Sequence, residues 1–447
     1  MTRFVLLCSS LALAGCSHGG APEPPPRPLA PTATAPSLAV SPAPSAAPPA
    51  PAAPAPSQPQ TPEARARELA HRLIIVDGHI DVPERLDEGR DAKGNLTEDV
   101  TQATERGDFD YPRARAGGLD APFFSIYVPS RYDGGGAKRY ANQLLDLVDA
   151  LFERAPDKFA RAGSPEEVRK NFAAGKMTLL LGLENGSPVE RELANVRHFY
   201  DRGVRYITLA HARDNQLADS SYDWRRKNRG LSKLGVEVVK EMNRVGVLVD
   251  VSHLSDEAFW GVLKASAVPV IASHSSCRAF TPGFARNMSD DMIRALAKAG
   301  GIIMINFGSG FVDGEIQKDD DRLVKERRAF LAERGARPGS PEERALKEEF
   351  ARTHPHRRAT VEQVARHIEH VIEIAGVEHV GLGSDFDGLG DTLPVGLEDV
   401  SKYPNLIRVL LERGRSEADL EKILSGNLFR VWKQTLDYGA AGAGPAK

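Results

Sequence analysis

The feature that most restricts what this chain can fold into is a recurrence. Eight short apolar runs rich in β-branched residues, at 73–77, 122–128, 177–183, 204–209, 247–251, 268–272, 301–306 and 379–383, alternate with helical patterns. Near-continuous apolar runs of this length are strands buried on both faces, and their alternation with helices implies an α/β fold with a parallel sheet. The helices carry start signals. Ser164-Pro165-Glu166-Glu167 places Ser at an N-cap, Pro in the first turn and Glu three residues after the cap. Thr360-Val361-Glu362-Gln363 is a second such box, ahead of Val361, Val364, Ile368, Val371 and Ile372 on one face, and Ser255 and Ser289 read as further caps. Eight strands with intervening helices predict a (β/α)8 TIM barrel; a doubly wound open sheet is the alternative.

The residues that end these runs are of one kind. The first is followed by His79 and Asp81, the third by Glu184, the fourth by His211, the fifth by His253, the sixth by His274 and the eighth by Asp385. Any one of them, taken alone, reads as a satisfied core histidine or a helix-capping aspartate. In a barrel, however, all strand ends converge on one mouth, where enzymes of this architecture keep their chemistry. Six of eight runs ending on imidazole or carboxylate therefore describe a metal site. The set contains no thiolate and suits zinc, with manganese or cobalt as workable substitutes. It has too many ligands for one tetrahedral ion. A two-metal site needs a bridge, which Glu184 can provide, with His79 and Asp81 on one side and His253 and His274 on the other. Two ions about 3.5–4 Å apart share a water and lower its pKa toward about 7. Asp385 is then left to carry a proton from that water to a leaving amine, and His211 to stabilise an oxyanion.

Seven stretches in order, "VDGHIDVP", "LGLENG", "LAHARDNQLADS", "GVEVVKEMNRVGVLVDVSHLSD", "IASHSSCRAFTPGFARNMSDD", "GGIIMINF" and "VGLGSDFDGLGDTLPVGLEDVSKYPNL", resemble the membrane dipeptidase (renal dipeptidase) family of zinc hydrolases. The resemblance runs from about 65 to 438. It implies a barrel of the metallo-dependent hydrolase type and two zinc ions per chain, with dipeptides as substrates, and leaves open the acceptance of D-residues. Carried over by motif, His79 and Asp81 bind one zinc, Glu184 bridges, and His253 and His274 bind the other. His211 contacts the scissile carbonyl, Asp385 is the acid–base group, and Arg286 in "FARNMSDD" binds the substrate carboxylate. The last role comes from the resemblance alone, although a guanidinium suits a free carboxylate. Two departures stand out. Gly308 replaces a frequent family tyrosine, which puts a pocket contact in doubt. A charged, largely helical insertion near 311–359 reads as a solvated excursion, a lid or a homodimer contact.

Ahead of the barrel, residues 1–15 read as a signal peptide: Arg3 precedes an apolar run too short to span a bilayer. Leu13-Ala14-Gly15-Cys16 resembles a bacterial lipobox, in which Cys16 becomes lipidated. Residues up to 62 form a linker of mostly Pro, Ala, Ser and Thr, which cannot bury enough surface to offset its ordering entropy. This plan places a barrel (63–438) in the bacterial cell envelope, lipid-anchored to the outer membrane and facing the periplasm, with a flexible tail at 439–447. With Cys8 leaving and Cys16 lipidated, Cys277 is the third and last cysteine, so no disulfide framework exists. A net charge of −3 without a basic run excludes a nucleic-acid partner. His367 and His370, one helical turn apart, read as decorating the outside of a barrel helix. Two competing functions are another barrel amidohydrolase and a metal- or peptide-binding lipoprotein without turnover. The first often bridges its metals with a carboxylated Lys where this chain has Glu184; the second has no use for Asp385.

Overall fold

The computed structural model describes residues 61–337 and 340–442. The signal peptide, Cys16 and nearly all of the linker lie outside the described residues, as do 443–447. At the start of the described residues, the Thr61 hydroxyl accepts a hydrogen bond from the Ala64 N–H and caps the helix Pro62–Arg72.

Eight parallel strands follow one another around the sheet in chain order. They are β1 (Ile75–Ile80), β2 (Leu119–Tyr127), β3 (Leu180–Glu184), β4 (Val204–Thr208), β5 (Leu248–Asp250), β6 (Ile271–Ser275), β7 (Ile302–Ile305) and β8 (Val380–Leu382). The circle closes where Ile80 bridges Phe386, with Asp81 N–H donating to the Phe386 carbonyl and Asp385 N–H to the His79 carbonyl. This is a (β/α)8 barrel and not an open sheet. Buried Asp77 ties the seam: its carboxylate accepts from the N–H groups of His79 and Ser384 and, at 2.7 Å, from the Tyr403 hydroxyl.

The helix starts follow the local chemistry. Ser164, Ser255 and Ser289 cap the helices Pro165–Ala173, Asp256–Ala265 and Asp290–Lys298 through their side-chain oxygens. Thr360 opens Val361–Ala375 with Gln363 reaching back to its N–H. Inside the barrel, alternate strand residues such as Val76, Phe123, Tyr206 and Met304 form one apolar cluster with Leu428 and Trp432 of the helix Asn427–Gly442. That helix lies across the strand starts. Arg430 donates to the Gly300 carbonyl, Asn427 to those of Val377 and Val380, and Gly439 abuts Gly246.

Three expectations are corrected. The run at 177–183 is not one strand: Met177–Thr178 pairs with Phe159–Ala160 in a separate two-stranded sheet, and β3 begins at Leu180. The tail does not begin at 439, because the terminal helix continues through Gly442. His367 is not on the outer surface but fully buried, accepting from the Cys277 N–H while its other nitrogen donates to the Val312 carbonyl. Burial lowers its pKa to about 3, so it is a neutral internal tie. The insertion is helical as expected, with helices Ser309–Val312, Gly314–Glu333 and Pro341–Thr353. No helix among the described residues is long and apolar enough to cross a membrane.

Candidate active site

All six strand-end residue groups meet at the C-terminal mouth of the barrel, around a cavity of about 580 Å³. Glu184, at the end of β3, is its centre. One carboxylate oxygen, Oε2, lies 3.4 Å from His79 Nε2 and accepts from the Ser125 hydroxyl. The other, Oε1, faces His253 Nε2 at 3.0 Å, His211 Nε2 at 3.4 Å and His274 Nε2 at 3.5 Å. Burial acts to raise the Glu184 pKa. The His79 and His211 rings, with those of His253 and His274 close by, nevertheless hold it well below the carboxylate range.

Each ring is oriented from behind. His79 Nδ1 donates to the Tyr206 oxygen at 2.8 Å, because the Tyr206 hydroxyl proton goes to the Gly78 carbonyl. His79 Nε2 is thereby aimed between Asp81 Oδ2, at 3.4 Å, and Glu184, with no hydrogen-bond partner of its own. His274 Nδ1 donates to Ser273 Oγ, which donates to Asp250 Oδ2 at 2.7 Å. Its Nε2 therefore carries a lone pair, and it lies 2.8 Å from His253 Nε2. Burial drives both of these rings to the neutral form. Two ring nitrogens so close, one a fixed lone pair, beside a carboxylate held ionised, form a donor set that a shared cation would satisfy. Three overlapping groups have ligand atoms within 4.8 Å of one another: His79–Asp81–Glu184, Glu184–His211–His253 and His79–His274–Asp385. The residues fit divalent metal ions of the zinc class.

Asp385 and Arg286 flank this cluster. Asp385 is held in the left-handed region (φ 66°), and its Oδ2 accepts from the Asn306 side-chain amide at 2.7 Å. Burial raises its pKa to about 8, against the pull of His79 and Arg286. His253 is left-handed too (φ 68°), a strain of the kind concentrated at functional sites. Arg286 is 3% exposed and donates to the Ser275 hydroxyl and the His274 carbonyl, with Nη2 3.0 Å from His253 Nε2. The guanidinium stands over the Phe311 ring at 5.4 Å. Gly308 is closely packed: a Cβ there would press on the side chains of Phe311 and Leu389, both of which line the cavity. Phe311 and Leu389 are the cavity-lining residues beside Gly308. In the wall of the same cavity, burial and the acids around it raise the pKa of Glu84 to about 9.

Sequence reasoning missed Tyr206, Ser273 and Asn306, which hold the rings and Asp385, as well as Tyr127 and Glu84 in the cavity wall. Asn306 and Tyr127 stand at the ends of the two runs that had supplied no ligand type. The strand-end rule would have found them had it been applied to amides and phenols.

Comparison with known proteins agrees with this geometry. The sequence profile of the membrane dipeptidase family, peptidase family M19, matches residues 63–443. The chain belongs to that family. It is 33% identical over 392 residues to an uncharacterised dipeptidase of Schizosaccharomyces pombe, covering 85% of each. It is 34% identical over 346 residues to dipeptidase tcpJ of Claviceps purpurea, covering 76% of this chain and 72% of the relative. Among solved structures, the probable dipeptidase PvdM of Pseudomonas aeruginosa superposes with a TM-score of 0.72 at 27% identity, over 85% of this chain and all of that one. As a member of the family, the chain is a metal-dependent peptidase of the zinc hydrolase class with dipeptidase function.

Proposed function

We propose that this membrane dipeptidase family member is a binuclear zinc enzyme that hydrolyses dipeptides with a free C-terminal carboxylate, L-D as well as L-L. The observation that carries the reading is the division of Glu184, one oxygen toward His79 and the other toward His253, His211 and His274. His79, Asp81 and Glu184 would hold one zinc, and Glu184, His253 and His274 the other. Two such ions would supply a water acidified toward neutrality and a Lewis acid for the scissile carbonyl.

The remaining work falls to the chain. Arg286 pairs with the substrate carboxylate and sets the peptide's direction across the mouth. Phe311 and Leu389 form an apolar wall that keeps bulk water from the reacting peptide. His211, its ring between those of Tyr127 and His253, hydrogen-bonds the carbonyl oxygen as it gains charge. Asp385 takes the proton of the attacking water and delivers it to the leaving amine. Asn306 occupies Oδ2, which leaves Oδ1 for that transfer. The lipobox at Cys16 adds the proposal that the enzyme works in the cell envelope, and Cys16→Ala should then release it from membranes.

The deciding experiment assays the zinc-loaded barrel on a library of L-L and L-D dipeptides beside their C-terminal amides, with metal content measured in parallel. Free dipeptides should be cleaved, amides much more slowly, with two zinc ions per chain. Zinc-loaded protein that cleaves no free dipeptide would leave a binding role instead.

A further inference from the structure

The cavity has an acid that the proposed reaction does not use. Glu84 follows Asp81 by three residues, in the first turn of the helix Val82–Glu88, and lines the same cavity as Asp81, Glu184 and Asp385. Each of those three has a partner: His79 for Asp81, Ser125 and the imidazoles for Glu184, Asn306 for Asp385. Among the described residues Glu84 makes no hydrogen bond and no ion pair, although it is only partly open to solvent. The acids Asp81, Glu88 and Glu184 all act on it, and Arg131 offsets them without contact. An acidic residue in a first helical turn favours the helix dipole, but that needs no aim into a cavity. A carboxyl group drawn out of water without a partner either keeps its proton or gives it up to a cation that comes to rest beside it.

The contacts around Glu184 arrange the mouth in a sequence. Arg286 touches His253; His253 and His274 face Glu184 Oε1; Glu184 Oε2 faces His79 and Asp81; one helical turn further stands Glu84. Along this series of contacts the Arg286 guanidinium comes first and Glu84, which has no partner of its own, comes last. A dipeptide with its carboxylate on Arg286 and its scissile bond over Glu184 directs its N-terminal residue toward Glu84. We infer that Glu84 is a specificity-determining residue that receives a cationic group of the substrate's N-terminal residue, either the α-ammonium or a lysine-type side chain. The inference rests on the dipeptidase reading above.

The test is steady-state kinetics of the zinc-loaded parent, Glu84→Gln and Glu84→Lys on Ala-Ala, N-acetyl-Ala-Ala, Lys-Ala and Glu-Ala, with zinc measured for each protein. Glu84→Gln is expected to keep its zinc and its kcat. Its KM should rise about ten-fold, the scale of one charge-assisted hydrogen bond. If the α-ammonium is the partner, Ala-Ala loses and its advantage over N-acetyl-Ala-Ala shrinks. If the side chain is the partner, Lys-Ala loses and Ala-Ala does not. Glu84→Lys should shift preference toward Glu-Ala if the side chain is the partner, and toward N-acetyl-Ala-Ala if the α-ammonium is. KM values for Ala-Ala and Lys-Ala both within two-fold of the parent, with zinc retained, overturn the inference and leave the dipeptidase reading standing. Loss of zinc from Glu84→Gln also overturns it, since Glu84 would then serve the metals. A zinc-loaded parent that cleaves none of the four overturns both.

Discussion

The barrel mouth and the helical excursion after β7 are built from the same residue types and use them in opposite ways. In the mouth, acids and bases converge: His79, Asp81, Glu184, His274 and Asp385 are all under 10% exposed, and the backbone turns left-handed at His253 and Asp385 to bring them in. In the excursion, charges are spread along the outside. Lys318 meets Glu315 and Arg322 meets Glu326 about a turn away, while the helix Gly314–Glu333 buries only Ile316 and Leu323. The difference teaches where a charge matters. Removing one partner from a buried cluster leaves an uncompensated charge, whereas an exposed pair is already well served by water.

Glu184→Ala should break the mouth most completely. Zinc affinity should fall at both positions, by more than about 10²-fold, and turnover with it. Elemental analysis that found only one ion lost would show that Glu184 is not shared. Asp385→Asn keeps the shape and the Asn306 contact but cannot accept a proton. It should lose about 10²–10⁴ in kcat while retaining metal, and unchanged turnover would remove Asp385 from the mechanism. Tyr206→Phe takes away the acceptor that fixes His79 and should weaken zinc binding about 10–100-fold in a chelator competition.

Asp120 extends the comparison to a buried acid away from the mouth. It accepts from the Ile75 N–H and pairs with Arg115, yet burial raises its pKa to about 7. Its protonated form is favoured in the fold, so its contribution is fully present below about pH 4 and lost as pH rises through 7. Denaturation of Asp120→Asn beside the parent should show the parent losing stability relative to the variant across that window; parallel curves would refute the shift. Smallest of all, Arg322→Ala in the excursion should change stability by no more than about 0.5 kcal/mol.

The barrel was legible because buried parallel strands write themselves as β-branched runs and because their ends share one mouth. Misreading 177–183 came from the same rule: Met177–Thr178 is apolar enough to pass for the start of β3 but pairs elsewhere. The metal-type residues were legible by chemistry. Their supports were not, since Tyr206 sits in mid-strand and looks like core, and Ser273 is one small residue among many. Arg286 stands on a loop after β6, where nothing in spacing marks it, and only the family motif pointed to it. Glu84 was hidden by its place in an ordinary helix start. His367 looked external because one helical period cannot reveal that Cys277 and Val312 cover that face.

The helix across the strand starts has a consequence in time. Trp432 packs on Phe123, which packs on Tyr206, whose oxygen holds His79. The chain emerges from the ribosome with His79 and Asp81 early and Trp432 after all eight strands. The packing behind His79, one of the first site residues made, is therefore completed by one of the last residues made.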